Sequence, residues 1–191
     1  MDSDEAFQGR SLARHARLSS ISGTLARLFT LWIAPISPAP QPVLCFAAMD
    51  ELPRYRLEDP EREWLEESRS WIKGHFSDKA EENYEDTDAK LAVIRANLAH
   101  GWVAADDTWK LQALGIAMGD ALADELMLDW VTIDDEYGRV PALNWPGTSI
   151  VLYPVTMISQ RLESGEEVDV DVMFEQTRER LQEIAFSGDV Q

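Results

Sequence analysis

The sequence predicts an α+β fold, a three-stranded antiparallel meander packed with about five helices on one of its faces. Two observations carry this. Apolar residues recur at helical spacing between residues 59 and 126, in runs preceded by aspartates suited to capping. Residues 129–154 break instead into three short runs rich in β-branched and aromatic side chains, separated by turn residues. A further helical pattern resumes after Pro154.

The elements follow in order. Asp59-Pro60 reads as a helix start, because the aspartate can cap free N–H groups and proline at the first helical position loses no hydrogen bond. Trp64, Ser68, Trp71, Ile72 and His75 then share one face, and Arg62, Glu66, Arg69 and Lys73 fall on the opposite one, read as solvated surface. "SDKAEENYEDTD" reads as a polar connection ending in an Asp86-Thr87 cap. A second helix is predicted from about Asp88 to His100, with Leu91, Ile94 and Leu98 inward and Gly101 stopping it. Asp106-Asp107 caps a third, longer helix. There Gly115, Gly119 and Ala123 repeat every four residues and leave a groove of bare backbone, suited to an intrachain element or to a second copy in a homodimer.

"DWVTID", "RVPALNW" and "SIVLYP" are the three strands. Proline cannot donate to a ladder, which puts Pro141 at an edge or a bulge. "VTMISQRLESG" is a short helix closed by Gly165, and Asp169 or Asp171 caps a final helix through about Ala185. On it Phe174, Thr177, Leu181 and Ile184 mark the buried face, and Glu175, Glu179 and Glu183 run along the other side. Like charges four residues apart oppose a helix by about 0.2–0.5 kcal/mol per pair.

Composition sets the function classes. The 191 residues carry a formal charge of -18, which repels phosphate backbones and anionic bilayers and disfavours direct nucleic-acid binding. A single cysteine, Cys45, excludes an intrachain disulfide and a cysteine-based metal cluster. The charge is uneven. Residues 1–48 hold three acids against four arginines, and the remainder holds 32 acids against 13 bases. That break divides a leader, residues 1–48, from a single acidic domain, residues 49–191. The leader reads as a targeting segment, as a misassigned or disordered stretch upstream of a true start at Met49, or as an ordered element. Pro35, Pro38, Pro40 and Pro42 argue against a membrane span within it. Low cysteine use favours the cytoplasm, or export if the leader is a targeting segment.

"DDEYGR", Asp134 to Arg139, raises the question of a metal or acid/base site. A calcium loop starting at Asp134 needs glycine sixth and glutamate twelfth, where Arg139 and Trp145 stand. Adjacent strand side chains point to opposite faces, so Asp134 and Asp135 do not readily share an ion. A turn with Asp135 first and Gly138 fourth fits better. His75 and His100 have structural explanations, Trp102, Trp109, Trp130 and Trp145 read as core, and no nucleophile elbow or phosphate loop is present. No catalytic residue, cofactor or metal is therefore expected. An exposed Tyr137 beside Arg139 suits an interaction hot spot.

The stretches "LGIAMGDALADE", "DWVTIDDEYGR" and "YPVTMISQRLESGEEVDV", within Leu111 to Phe174, together resemble DUF3806, a bacterial domain-of-unknown-function family. The resemblance implies one bacterial domain and supplies no catalytic or binding residue. The expectation is a small acidic protein-binding module, immunity-like or chaperone-like, whose partner has a basic surface. Its candidate surfaces are Tyr137 with Arg139, and Glu175, Glu179 and Glu183. The alternatives are a carboxylate-based or metal-dependent enzyme using Asp134, Asp135 and Glu136 with Asp129, and a homodimeric scaffold joined through Gly115 and Gly119.

Overall fold

Capping chemistry sets most of the helix boundaries in the computed structural model, which describes residues 47–48, 53–135 and 138–187, all within one unit, Pro40–Gln191. Strands β1 (Ala47–Ala48) and β2 (Arg54–Tyr55) come first. Helices α1 (Asp59–Lys73), α2 (Ala80–Glu85), α3 (Thr87–Ala99) and α4 (Thr108–Leu126) follow. Next come β3 (Asp129–Asp135), β4 (Gly138–Asn144) and β5 (Ile150–Leu152). A 3-10 turn at Pro154–Thr156 leads into α5 (Met157–Glu163), and α6 (Val170–Ser187) ends the described chain. No helix among the described residues is long and apolar enough to cross a membrane.

The caps agree with the sequence at three helices. Asp86 accepts from the Ala89 N–H, Asp107 from the Lys110 N–H and Asp169 from the Val172 N–H. At α1 the boundary moves by one residue. Glu58 is the cap, its N–H donating to Glu61 Oε2 at 2.5 Å, and Asp59 is the first helical residue, paired with Arg62. The polar connection contains a helix that the sequence reading missed, α2, whose Tyr84 is buried. Six residues are too few to establish a helical period.

The predicted meander is present, within a larger antiparallel sheet of order β1-β5-β4-β3-β2. The two added strands are two residues each, too short to show alternation. Ala47 and Ala48 pair with Val151 and Ile150, so the sheet takes in the last two residues of the stretch read as a leader. β4 is interior, yet β5 pairs with it only through Leu143 and Asn144. Pro141 lies beyond that contact, where β4 is locally an edge, as its missing N–H requires.

Alternation along the strands divides the core. Trp130, Leu143 and Leu152 join the main cluster built with α1, α3, α4, α5 and α6. Ile133, Ala142 and Val151 form a separate buried cluster with Val131, Val140 and Tyr153, so the sheet is apolar on both faces. Helix α4 is the hub of the helical layer, buried continuously from Ala113 to Leu122. Its glycine groove is filled from within the chain. A Cβ at Gly115 would lie 2.5 Å from the Pro154 carbonyl oxygen, and one at Gly119 would lie 2.7 Å from Pro154 Cγ and 2.8 Å from the Trp130 ring. Ala123, next in the repeat, is partly buried against the main cluster. The groove is therefore closed to a second copy, and a homodimer built through it has no surface there.

Candidate functional site

An aspartate inside a helix buried all round must find donors, because an unpaired carboxylate in an apolar interior is unaffordable. Asp120 is that residue, 7% exposed on α4. Arg69 of α1 donates Nε to Oδ2 and Nη2 to Oδ1, both at 2.8 Å, in the bidentate geometry that suits guanidinium and carboxylate. Tyr84 of α2 donates its hydroxyl to Oδ2 at 2.6 Å, and Trp130 of β3 donates Nε1 to Oδ1 at 2.8 Å. Each oxygen receives two bonds, filling the roughly four lone-pair sites of a carboxylate. Burial works against the Arg69 charge, but the Asp120 bonds outweigh it and raise the Arg69 pKa. Burial, then the Asp120 charge, pushes the Tyr84 pKa up.

Lysines surround this centre. Lys90 of α3 is 1% exposed, and its Nζ reaches Asp124 Oδ2 at 2.7 Å. Lys73 pairs with Glu81, and the ammonium groups of Lys73 and Lys90 each lie 5.3 Å from the Tyr84 ring centroid. The assembly ties α1, α2, α3, α4 and β3 together. With its lone pairs occupied by four donors, Asp120 has none left for a substrate proton, so the cluster is built to join elements.

This centre corrects the reading of Arg69 as solvated surface. An arginine among Arg62, Glu66 and Lys73 carries no mark of its distant partner. One signal was available, since Asp120 is the sole charged residue between Lys110 and Asp124.

The other candidates are scattered. Tyr137 and Glu136 lie outside the described residues, and with them the centre of the predicted turn. Its flanks are Asp135 and Gly138, which pair across the ladder, with Gly138 at φ +113°. Arg139 is engaged within the chain: Nε donates to Glu61 Oε1 at 3.1 Å, Nη2 pairs with Glu58 Oε1 at 3.0 Å, and the guanidinium lies 5.6 Å from the Tyr55 ring centroid. The Glu61 hydrogen bond raises the Arg139 pKa. Burial opposes ionisation of Glu61, but the Glu58 N–H and Arg139 outweigh it and its pKa falls. Arg139 thus pins the hairpin to the start of α1. Asp129 and Asp134 are exposed at opposite ends of β3, about 17 Å apart at strand rise, too far to converge on one substrate.

His75 is exposed, its Nδ1 3.0 Å from the Trp71 carbonyl oxygen, which replaces the expected place in the apolar face. His100 caps α3 and stacks on Trp102 at 4.8 Å. Trp102, expected in the core, is 58% exposed in a loop where His100 is its one ring partner among the described residues, while Trp109, Trp130 and Trp145 are half-buried.

Glu175, Glu179 and Glu183 all lie on the exposed side of α6. Arg178 donates to Glu175 at 2.6 Å and Arg180 to Glu183 at 3.1 Å, while Glu179 has no ion pair among the described residues. The buried face of α6 carries Val170, Met173, Phe174, Thr177 and Leu181.

Comparison with known proteins adds a likeness of fold and a match to one family model. No curated protein matches the chain. A crystal structure from Bacteroides thetaiotaomicron VPI-5482 superposes with a TM-score of 0.54 at 15% identity, over 66% of this chain and 47% of that one, a likeness of fold alone. Residues 90–174, which run from Lys90 through Asp120 and the β3–β5 meander to Phe174, match the family model described as a domain of unknown function, DUF3806.

Proposed function

We propose that this chain is a non-catalytic acidic protein-binding module, immunity-like or chaperone-like, that meets a basic protein surface through the exposed side of α6. One contrast carries the reading. The buried carboxylate of Asp120 is saturated by four donors, whereas Glu175, Glu179 and Glu183 stand in solvent on one side of a helix whose opposite side already anchors it. Charge held in the interior serves the fold. Charge held on that ridge steers a cationic partner, at an encounter rate that falls as salt rises.

The test is a pull-down from the native host with wild-type protein and with a Glu175→Lys, Glu179→Lys, Glu183→Lys variant. The exposed positions leave the fold intact, so the triple variant should lose the partners that wild type retains. Identical partner lists would remove the ridge from consideration.

A further inference from the structure

The glutamates of α6 do not stand alone. Of the five large hydrophobic side chains exposed among the described residues, two lie on this helix, Val172 at 48% and Phe186 at 83% exposure. At 100° per residue, Val172, Glu175, Gln176, Glu179, Glu183 and Phe186 fall within an arc of about 100°. Val172 and Phe186 bracket the acids and stand about 21 Å apart at 1.5 Å per residue. Exposed apolar groups at both ends of an acidic stripe are not explained by solubility, which favours polar residues throughout such a face.

We infer that this face seats one cationic amphipathic helix of a protein partner, lying along α6 with apolar side chains over Val172 and Phe186 and lysines or arginines over Glu179 and Glu183. The inference rests on the protein-binding reading above and narrows it to a shape. A helix is the fitting occupant because two helices in lengthwise contact bring matched anchors together at both ends of a four-turn ridge. A second copy is disfavoured, since antiparallel ridges would set Glu179 against Glu179 in a molecule of charge -18. Anionic lipid and nucleic acid are repelled for the same reason. The pairs of Glu175 with Arg178 and Glu183 with Arg180 are exposed and three residues apart, so a partner's cations can compete for them.

The experiment uses the full chain and two labelled synthetic peptides of identical composition, followed by fluorescence anisotropy at physiological salt. In the ordered peptide, leucines repeat fourteen residues apart on one helical face with lysines between them on that face; the control scrambles the order. Wild type should bind the ordered peptide at least tenfold more tightly than the scrambled one. A Val172→Ser, Phe186→Ser variant should lose that preference while keeping weak, salt-sensitive binding to both. A Glu179→Lys, Glu183→Lys variant should bind neither, with circular dichroism confirming in each case that the fold is kept. Equal affinity for the two peptides, absence of binding, or a preference that survives loss of Val172 and Phe186 overturns the helix seat. If the triple lysine variant still changes the native partner list in that event, the broader protein-binding reading stands without this refinement.

Discussion

Helices α4 and α6 use the same chemistry, arginine against carboxylate, to opposite ends. On α4, Asp120 meets Arg69 across 51 residues of sequence in a nearly dry setting, with a tyrosine and a tryptophan completing its shell. On α6, Glu175 and Glu183 meet arginines three residues away in water. An exposed local pair contributes little because solvent screens it and two long side chains lose freedom to form it. A buried, hydrogen-bonded pair contributes little net stability either, yet breaking it is costly, because the survivor is stranded. The lesson is that charge in this chain is committed by burial rather than by residue type.

The sharpest way to break that contrast is at Asp120. Asp120→Ala leaves the Arg69 guanidinium with Glu66 as its remaining ion pair among the described residues, and leaves the Tyr84 hydroxyl and Trp130 N–H without their acceptor. A loss of about 3 kcal/mol is expected, which lowers the melting midpoint of a domain this size by about 6–12 °C. Differential scanning calorimetry measures it. A shift below about 2 °C would mean that the centre is far wetter than its geometry implies.

How much of this could be read from sequence follows from the range of the interactions. The caps Asp86, Asp107 and Asp169 and the stops at Gly101 and Gly165 act within one turn, and they stand where local reading put them. The meander was legible because β-branched alternation and turn residues are also local. Strands β1 and β2 were not, since two residues define no period. Among the candidate sites, the exposure of Glu175, Glu179 and Glu183 was legible from helical spacing. The engagement of Arg139 by Glu58 and Glu61 was hidden, as was that of Arg69 by Asp120, because partners 78 and 51 residues away leave no pattern near the arginine. Trp102 misled for a related reason: an aromatic side chain suggests burial, but a loop position decides where it points.

Tyr84 gives a mid-sized effect with a pH signature. Tyr84→Phe removes one of four donors to Asp120, a hydrogen bond to a charged group, and should cost about 1.5 kcal/mol near neutrality. In the folded state the Tyr84 pKa is raised above its ordinary value of 10.0, first by burial and then by the Asp120 charge. The stability this residue contributes is therefore fully present below about pH 10 and declines as pH rises, because the unfolded chain releases the phenolic proton that the folded chain retains. Urea unfolding between pH 9 and 11 should show a steeper alkaline loss for wild type than for Tyr84→Phe, narrowing the gap between them. Parallel curves would show that the phenol is solvated.

The smallest effect is expected on α6, and its smallness is what makes the comparison informative. Glu179 has like-charged neighbours four residues away on either side and no ion pair among the described residues, while Val170, Phe174, Thr177 and Leu181 hold the helix from beneath. Glu179→Gln relieves repulsion without touching the core. Its stability should stay within about 0.5 kcal/mol of wild type, with any change a gain. Chemical denaturation at low and at high salt measures this, and the gain should shrink at high salt because screening already weakens the repulsion. A clear loss of stability at both salt concentrations would place Glu179 in a structural role like that of Asp120, and α6 would no longer have a face free for a partner.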